Sequence, residues 1–141
     1  AFSLGSRMRH AGASTFREAL MGTSEGNNHR IDNIEFNVSD IARSKAFYGQ
    51  VFGWVFADYG PDYVAFANSG LDGGFYRSAK QSTVATGAAL VVLYSKDLQQ
   101  TEAKVLAAGG TIVKPVFTFP GGRRFHFADP NGNELAVWSE Q

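Results

Sequence analysis

The chain has 141 residues, of which 13 are basic and 13 acidic, and it contains no cysteine. Balanced charge is unlike the basic footprint of a nucleic-acid binder, and the lack of cysteine excludes disulfides, thiolate catalysis and zinc–thiolate sites. No run of about 18 apolar residues is present, so no membrane-spanning helix is predicted; the length suits one compact domain, and a cysteine-free chain fits a reducing cytoplasm, the compartment expected.

In chain order, residues 1–29 read as an N-terminal extension. Ala1 to His10 lacks the long apolar stretch of a signal peptide, and vector-derived residues are expected ahead of a natural start at Met8 or Met21. Thr15-Phe-Arg-Glu18 matches a capping box opening a short helix through Met21, and Gly22 to Asn28 is polar and linker-like.

From residue 30 a pattern occurs twice. Asp40-Ile-Ala-Arg-Ser-Lys-Ala46 is followed by Gly53-Trp-Val-Phe, and Asp97-Leu-Gln-Gln-Thr-Glu-Ala103 by Gly110-Thr-Ile-Val. Asp40 and Asp97, Ser44 and Thr101, Ala46 and Ala103, and Gly53 and Gly110 correspond at one constant spacing, the signature of an internal repeat. Each aspartate can cap a helix. Ile41, Phe47, Tyr48, Val51 and Phe52 form an apolar stripe on the first helix, and Leu98, Thr101, Val105 and Ala108 one on the second. Gly53 and Gly109-Gly110 are stop signals. Strands are predicted at Ile34–Val38, Trp54–Asp58, Tyr63–Ala67, Gly74–Arg77, Ala89–Tyr94, Ile112–Phe119, Arg124–Ala128 and Glu134–Trp138. Gly60-Pro-Asp, Ser69-Gly-Leu-Asp-Gly-Gly, Pro120-Gly-Gly and Asp129-Pro-Asn-Gly are read as turns between them. The expected domain, residues 30–141, therefore consists of two βαβββ modules, 30–86 and 87–141, in an α+β fold.

Alternate strand residues face opposite sides of a sheet. Ile34, Phe36 and Val38 should meet the helices, leaving Asn33, Glu35 and Asn37 on the other face. In the second half, Val91, Leu93 and Trp138 are expected to line the equivalent face. A surface mixing apolar strands with a few polar groups is how a ligand pocket is built.

The stretch Val38-Ser-Asp-Ile-Ala-Arg-Ser-Lys-Ala-Phe-Tyr-Gly-Gln-Val-Phe-Gly-Trp54, with the later Gly109-Gly110, Arg124-Phe125 and Ala128-Asp-Pro-Asn-Gly132, resembles the vicinal oxygen chelate superfamily. That superfamily includes glyoxalase I, bleomycin-resistance proteins, extradiol dioxygenases and fosfomycin-resistance enzymes. The resemblance, strongest to the short bacterial glyoxalase-like subgroup, runs from about Arg30 to Glu140. It implies paired modules forming a cup-shaped mixed sheet with helices outside, and in the enzymes a divalent metal held by His, Glu or Gln. Carried over, the ligand positions fall on Asn33, on Ala89 or Leu90, on Ala136 and within Phe75–Arg77. None is His or a carboxylate, so no metal and no cofactor are expected.

The residues agree with this. A divalent site takes about three or four protein ligands, and the histidines are His10, His29 and His126, with no H-x-H or H-x-x-x-H spacing. A rearranged set of Glu35, His126 and Glu134 is the remaining metal option. There is no G-x-S-x-G elbow or P-loop, and Gly70 to Gly74 precedes no helix, so it reads as a turn. Glu35 and His126 are the candidate catalytic groups, although a strand histidine also fits a structural role. Arg123 and Arg124 suit an anionic ligand or a hairpin surface.

The leading expectation is a metal-independent small-molecule-binding protein. Asn33, Glu35, Asn37 and Arg77 would supply polar contacts, and Val91 and Trp138 apolar walls, for a small polar or aromatic ligand. The alternatives are a metal-dependent glyoxalase-like lyase or isomerase, a ring-cleaving dioxygenase, and a regulatory domain with an empty cup. No nucleic acid or membrane partner is expected, and the resemblance implies a homodimer.

Overall fold

Two βαβββ units follow one another, as the repeat requires. The first comprises β1 (Asn33–Val38), α1 (Ile41–Phe52), β2 (Val55–Asp58), β3 (Tyr63–Ala67) and β4 (Asp72–Arg77). The second comprises β5 (Val92–Tyr94), α2 (Leu98–Ala107), β6 (Thr111–Phe119), β7 (Gly122–Ala128) and β8 (Glu134–Ser139). The computed structural model describes residues 24–140. The helix expected through Met21 lies outside the described residues, and a 3-10 turn at Glu25–Asn27 occupies part of the expected linker. No helix among the described residues is long and apolar enough to cross a membrane.

Each unit forms a four-stranded mixed sheet, ordered β1-β4-β3-β2 and β5-β8-β7-β6. The first strand of each unit pairs parallel with its last, and the other pairings are antiparallel. A parallel pair needs a long crossover, which the helix and two intervening strands provide. The caps are as the sequence indicates: Asp40 Oδ1 accepts from the Arg43 N–H and Asp97 Oδ1 from the Gln100 N–H, both at 3.1 Å. Gly53 ends α1 in the left-handed region at φ 74°, which satisfies carbonyls at the helix end.

The helices and the inner faces of both sheets share one core. Phe36, Val38, Phe47, Tyr48, Trp54, Phe66, Phe75, Leu98, Val105, Phe125, Phe127, Leu135 and Val137 form a continuous buried cluster. Each such large side chain contributes about 1.5–3 kcal/mol by leaving water. Phe47 on α1 lies 5.8 Å from Phe127 on β7, so the first helix also packs on the second sheet. Trp54 belongs to this core, stacked on Tyr48 at 4.6 Å.

A polar latch joins the units at the β7–β8 turn. Asn131 accepts from Ser39 Oγ and the Asp40 N–H, and donates to the Asp40 carbonyl and Ser44 Oγ. Asn133 donates to the Asn37 carbonyl at 2.6 Å. The Asp-Pro-Asn-Gly-Asn motif thus ties the second unit to β1 and to the start of α1.

Two expectations change. The strand expected from Ala89 is confined to Val92–Tyr94. Successive β8 donors, the Glu134 and Ala136 N–H groups, bond to the Ser82 and Val91 carbonyls. The chain between those carbonyls therefore loops out, closed by mutual hydrogen bonds of Thr83 and Thr86. Second, β4 starts at Asp72, two residues before the expected Gly74, so Asp72 and Gly73 lie in the strand instead of in the turn. A Cβ on Gly73 would sit 2.0 Å from the Ile34 carbonyl oxygen, so glycine here permits close strand packing.

Candidate functional site

Strand register decides which side chains meet on the faces turned away from the helices. In the first sheet, Asn33, Glu35 and Asn37 stand opposite Asp72, Gly74 and Tyr76, and Tyr76 and Gly74 stand opposite Tyr63 and Ala65. Side chains directly opposite one another share a face. The three polar β1 residues are thus brought together as expected, beside a small cluster of Tyr59, Tyr63, Ala65 and Tyr76. Gly74 shapes this surface: a Cβ there would lie 2.0 Å from the Tyr63 hydroxyl oxygen, so the tyrosine ring lies across the position next to Glu35. Burial, then the charges of Glu35 and Tyr59, push the Tyr63 hydroxyl well above its ordinary range. Desolvation raises the Glu35 carboxyl. Asn37 is anchored by its side-chain contact with Ser82 and by its carbonyl bond to Asn133.

Arg77 is not part of this surface. It stands opposite Val38, on the helix side, and pairs with Asp62 at 3.1 Å. It belongs to a shallow hollow with Lys45, Asp58 and Pro61. One step of alternation separates Arg77 from Tyr76, and Tyr76 holds the position beside Asn37.

The second sheet corrects Val91 in the same way. Val92 and Tyr94 stand opposite Ala136 and Trp138, whereas Leu93 stands opposite the core residue Val137. Val91 and Leu93 pack against the core, so neither shares a face with Trp138. The segment is apolar on both faces, and a period of two cannot tell the faces apart in such a run. Val91 and Leu93 instead help line a cavity of about 430 Å³ between β1 and β5, with Ile34, Phe36, Trp54 and Phe66.

Trp138 lies on the helix-free face. Tyr94 meets its ring edge-on at 5.2 Å and Phe119 lies at 6.2 Å. Arg124 stands opposite Trp138 on one side and Phe117 on the other, and its guanidinium lies 5.3 Å and 5.7 Å from the Phe117 and Phe119 rings. Next along β7 on this face is His126, between Ala136 and Lys114. His126 Nδ1 lies 2.9 Å from Glu134 Oε2, with side-chain exposures of 4% and 10%. Burial alone would raise the Glu134 carboxyl. The His126 hydrogen bond, the Val84 N–H and the charges of His126 and Lys114 outweigh it, leaving Glu134 below its ordinary value.

Sequence reasoning grouped His126 and Glu134 with Glu35 as a metal option and did not foresee the direct bond between the two on adjacent strands. The signal was the alternation Arg124-Phe-His-Phe, which puts Arg124 and His126 on one face and two core phenylalanines on the other. Tyr63 and Tyr94 carried no comparable signal, because both faces of these strands carry apolar or aromatic residues.

Of the metal positions carried over from the resemblance, the last-strand one supplies no ligand. Ala136 sits at the last-strand position, directly between Val92 and His126, and has no donor atom. Among the described residues no group of three or more His, Cys, Asp or Glu side chains converges. Glu35 and His126 stand on different sheets.

Comparison with known proteins agrees with this architecture. Residues 30–137 match the family model of the Glyoxalase/Bleomycin resistance protein/Dioxygenase superfamily. No curated protein gives a sequence match. Among solved structures, a glyoxalase-related enzyme from Fulvimarina pelagi superposes with TM-score 0.66 at 18% identity, over 78% of this chain and 87% of that one. A genomically encoded fosfomycin resistance protein from Listeria monocytogenes gives 0.65 at 16%, over 77% and 91%. A lactoylglutathione lyase from Agrobacterium tumefaciens gives 0.59 at 18%, over 77% and 92%. At these identities the likeness is one of fold.

Proposed function

From its place in the Glyoxalase/Bleomycin resistance protein/Dioxygenase superfamily, to which this chain belongs, we propose that the protein binds a small organic molecule without a metal. The ligand lies on the helix-free face of the second sheet. One observation carries this reading: the last-strand position offers the methyl group of Ala136, and two residues along the same face stands Trp138, edged by Tyr94 and Phe119. A donor-free position beside an aromatic shelf favours a flat organic ligand over a cation. Glu35, Asn33 and Asn37 supply a second, polar surface on the first sheet.

Two measurements test the reading. Elemental analysis of the purified, dialysed protein should show substoichiometric nickel, zinc, iron and manganese. A stoichiometric metal would favour the lyase, isomerase or dioxygenase alternative and overturn the metal-free reading. In a fragment screen followed by NMR, hits should shift the Trp138 indole resonance. Trp138→Ala should weaken them about tenfold, the size of a lost aromatic contact; unchanged affinity would reject the site. Homodimerisation is proposed alongside, and light scattering showing only monomer would refute it.

A further inference from the structure

The binding face contains two buried polar atoms with opposite needs. His126 is 3% exposed, its Nδ1 faces Glu134, and its Nε2 has no partner. Arg124 Nε is also buried and unpartnered. In the neutral imidazole, a carboxylate at Nδ1 favours the ring proton there, which leaves Nε2 as an acceptor. Arg124 Nε–H can only donate. Buried polar groups are almost always satisfied, and a pair of orphans on one face calls for a common partner.

We infer that the helix-free face of the second sheet carries a subsite for a small hydroxy acid, with His126 Nε2 accepting from the ligand hydroxyl and Arg124 donating to its carboxylate. This rests on the reading of that face as the ligand site and names the ligand's chemistry. Arg124 and His126 are alternate residues of β7, about 7 Å apart along the strand, which suits two adjacent functional groups on one small molecule. Lys114, opposite His126, adds a second cation beside the Arg124 guanidinium, while the Glu134 carboxylate is engaged by His126 and the Glu140 carboxylate by the Tyr94 hydroxyl. The Phe117 and Phe119 rings hold the Arg124 guanidinium in place. Ala136 puts only a methyl group beside the imidazole, and Trp138 is positioned to contact the ligand's apolar part. A plain carboxylic acid would satisfy only the arginine, and a plain alcohol only the histidine.

The test is calorimetric titration of the full chain with mandelate, phenylacetate and benzyl alcohol. Mandelate has both groups, phenylacetate lacks the hydroxyl and benzyl alcohol lacks the carboxylate. Mandelate should bind about tenfold more tightly than either. His126→Phe should bring mandelate down to the level of phenylacetate. Arg124→Met should weaken both acids while leaving benzyl alcohol unchanged. The wild-type preference needs no variant, so the test survives a variant that fails to fold. Equal binding of mandelate and phenylacetate by the wild-type protein, with the Trp138 indole resonance still shifting, overturns the subsite and leaves the aromatic site standing. Absence of any Trp138 shift with all three probes overturns both.

Discussion

The Tyr48 hydroxyl, on the first helix, donates to Asp129 Oδ2 at 2.7 Å, on the turn between the last two strands. Both residues are buried, and the bond crosses between the two units. Asp129 also accepts from the Asn131 and Asn133 N–H groups, so one carboxylate organises the turn and receives the helix. Removing the tyrosine oxygen deprives a buried acceptor of one donor, which costs about 1–3 kcal/mol. Tyr48→Phe should lower the denaturant midpoint accordingly; an unchanged midpoint would mean the bond adds nothing.

Alkaline pH should probe the same bond. Burial, the Asp129 charge and the hydrogen bond to it push the Tyr48 hydroxyl well above its ordinary value of 10.0. Above that pH the unfolded chain releases the proton and the native state keeps it, so the native state binds more protons and stability falls as pH rises. Tyr63 adds to the effect with the same sign. Denaturant midpoints should therefore drop between about pH 9 and 11, and the drop should be smaller in Tyr48→Phe.

Acid should act through Glu134, with the opposite sign. Its native carboxyl titrates below 4.5. Between the native value and 4.5 the unfolded chain binds more protons, so stability rises with pH across that window. The contribution is fully present above 4.5 and lost as pH falls through the native value. Glu134→Gln should flatten the acid limb of the stability profile, measured by urea unfolding from pH 3 to 6; an identical acid limb would rule the pair out as its source.

Asn131 makes four hydrogen bonds to Ser39, Asp40 and Ser44. Asn131→Ala removes the acceptor for the half-buried Asp40 N–H and a partner of the buried Ser44 hydroxyl, and should cost about 2–3 kcal/mol. Hydrogen exchange should show the first turn of that helix opening more readily than the second helix.

Gly74→Ala places a methyl group where the Tyr63 ring lies. The ring is buried and must move, at a cost of about 1–3 kcal/mol typical of overpacking. A thermal midpoint equal to wild type would contradict the position assigned to that ring.

Residue order alone determined the repeat, both helices with their aspartate caps, the left-handed glycine after the first helix, and the inward face of the first strand. These features depend on neighbours a few positions apart, and each has one low-energy solution: a short carboxylate beside free N–H groups, a residue without Cβ at positive φ, a strand polar on one side. The first strand was legible because Asn33, Glu35 and Asn37 alternate with apolar residues.

Tertiary structure alone decided what depends on distant partners. In Leu90–Tyr94 every side chain is apolar or aromatic, so only pairing with the last strand shows that Val92 and Tyr94, and not Val91, share a face with Trp138. Arg77 lies one residue past Tyr76 and so falls on the helix side. The contact of His126 with Glu134 arises because a turn brings two strands alongside, and the Asn131 latch because that turn docks on a helix far away in sequence. Local chemistry selects the elements; register and docking, which satisfy hydrogen bonds and bury apolar surface between segments remote along the chain, select which side chains meet.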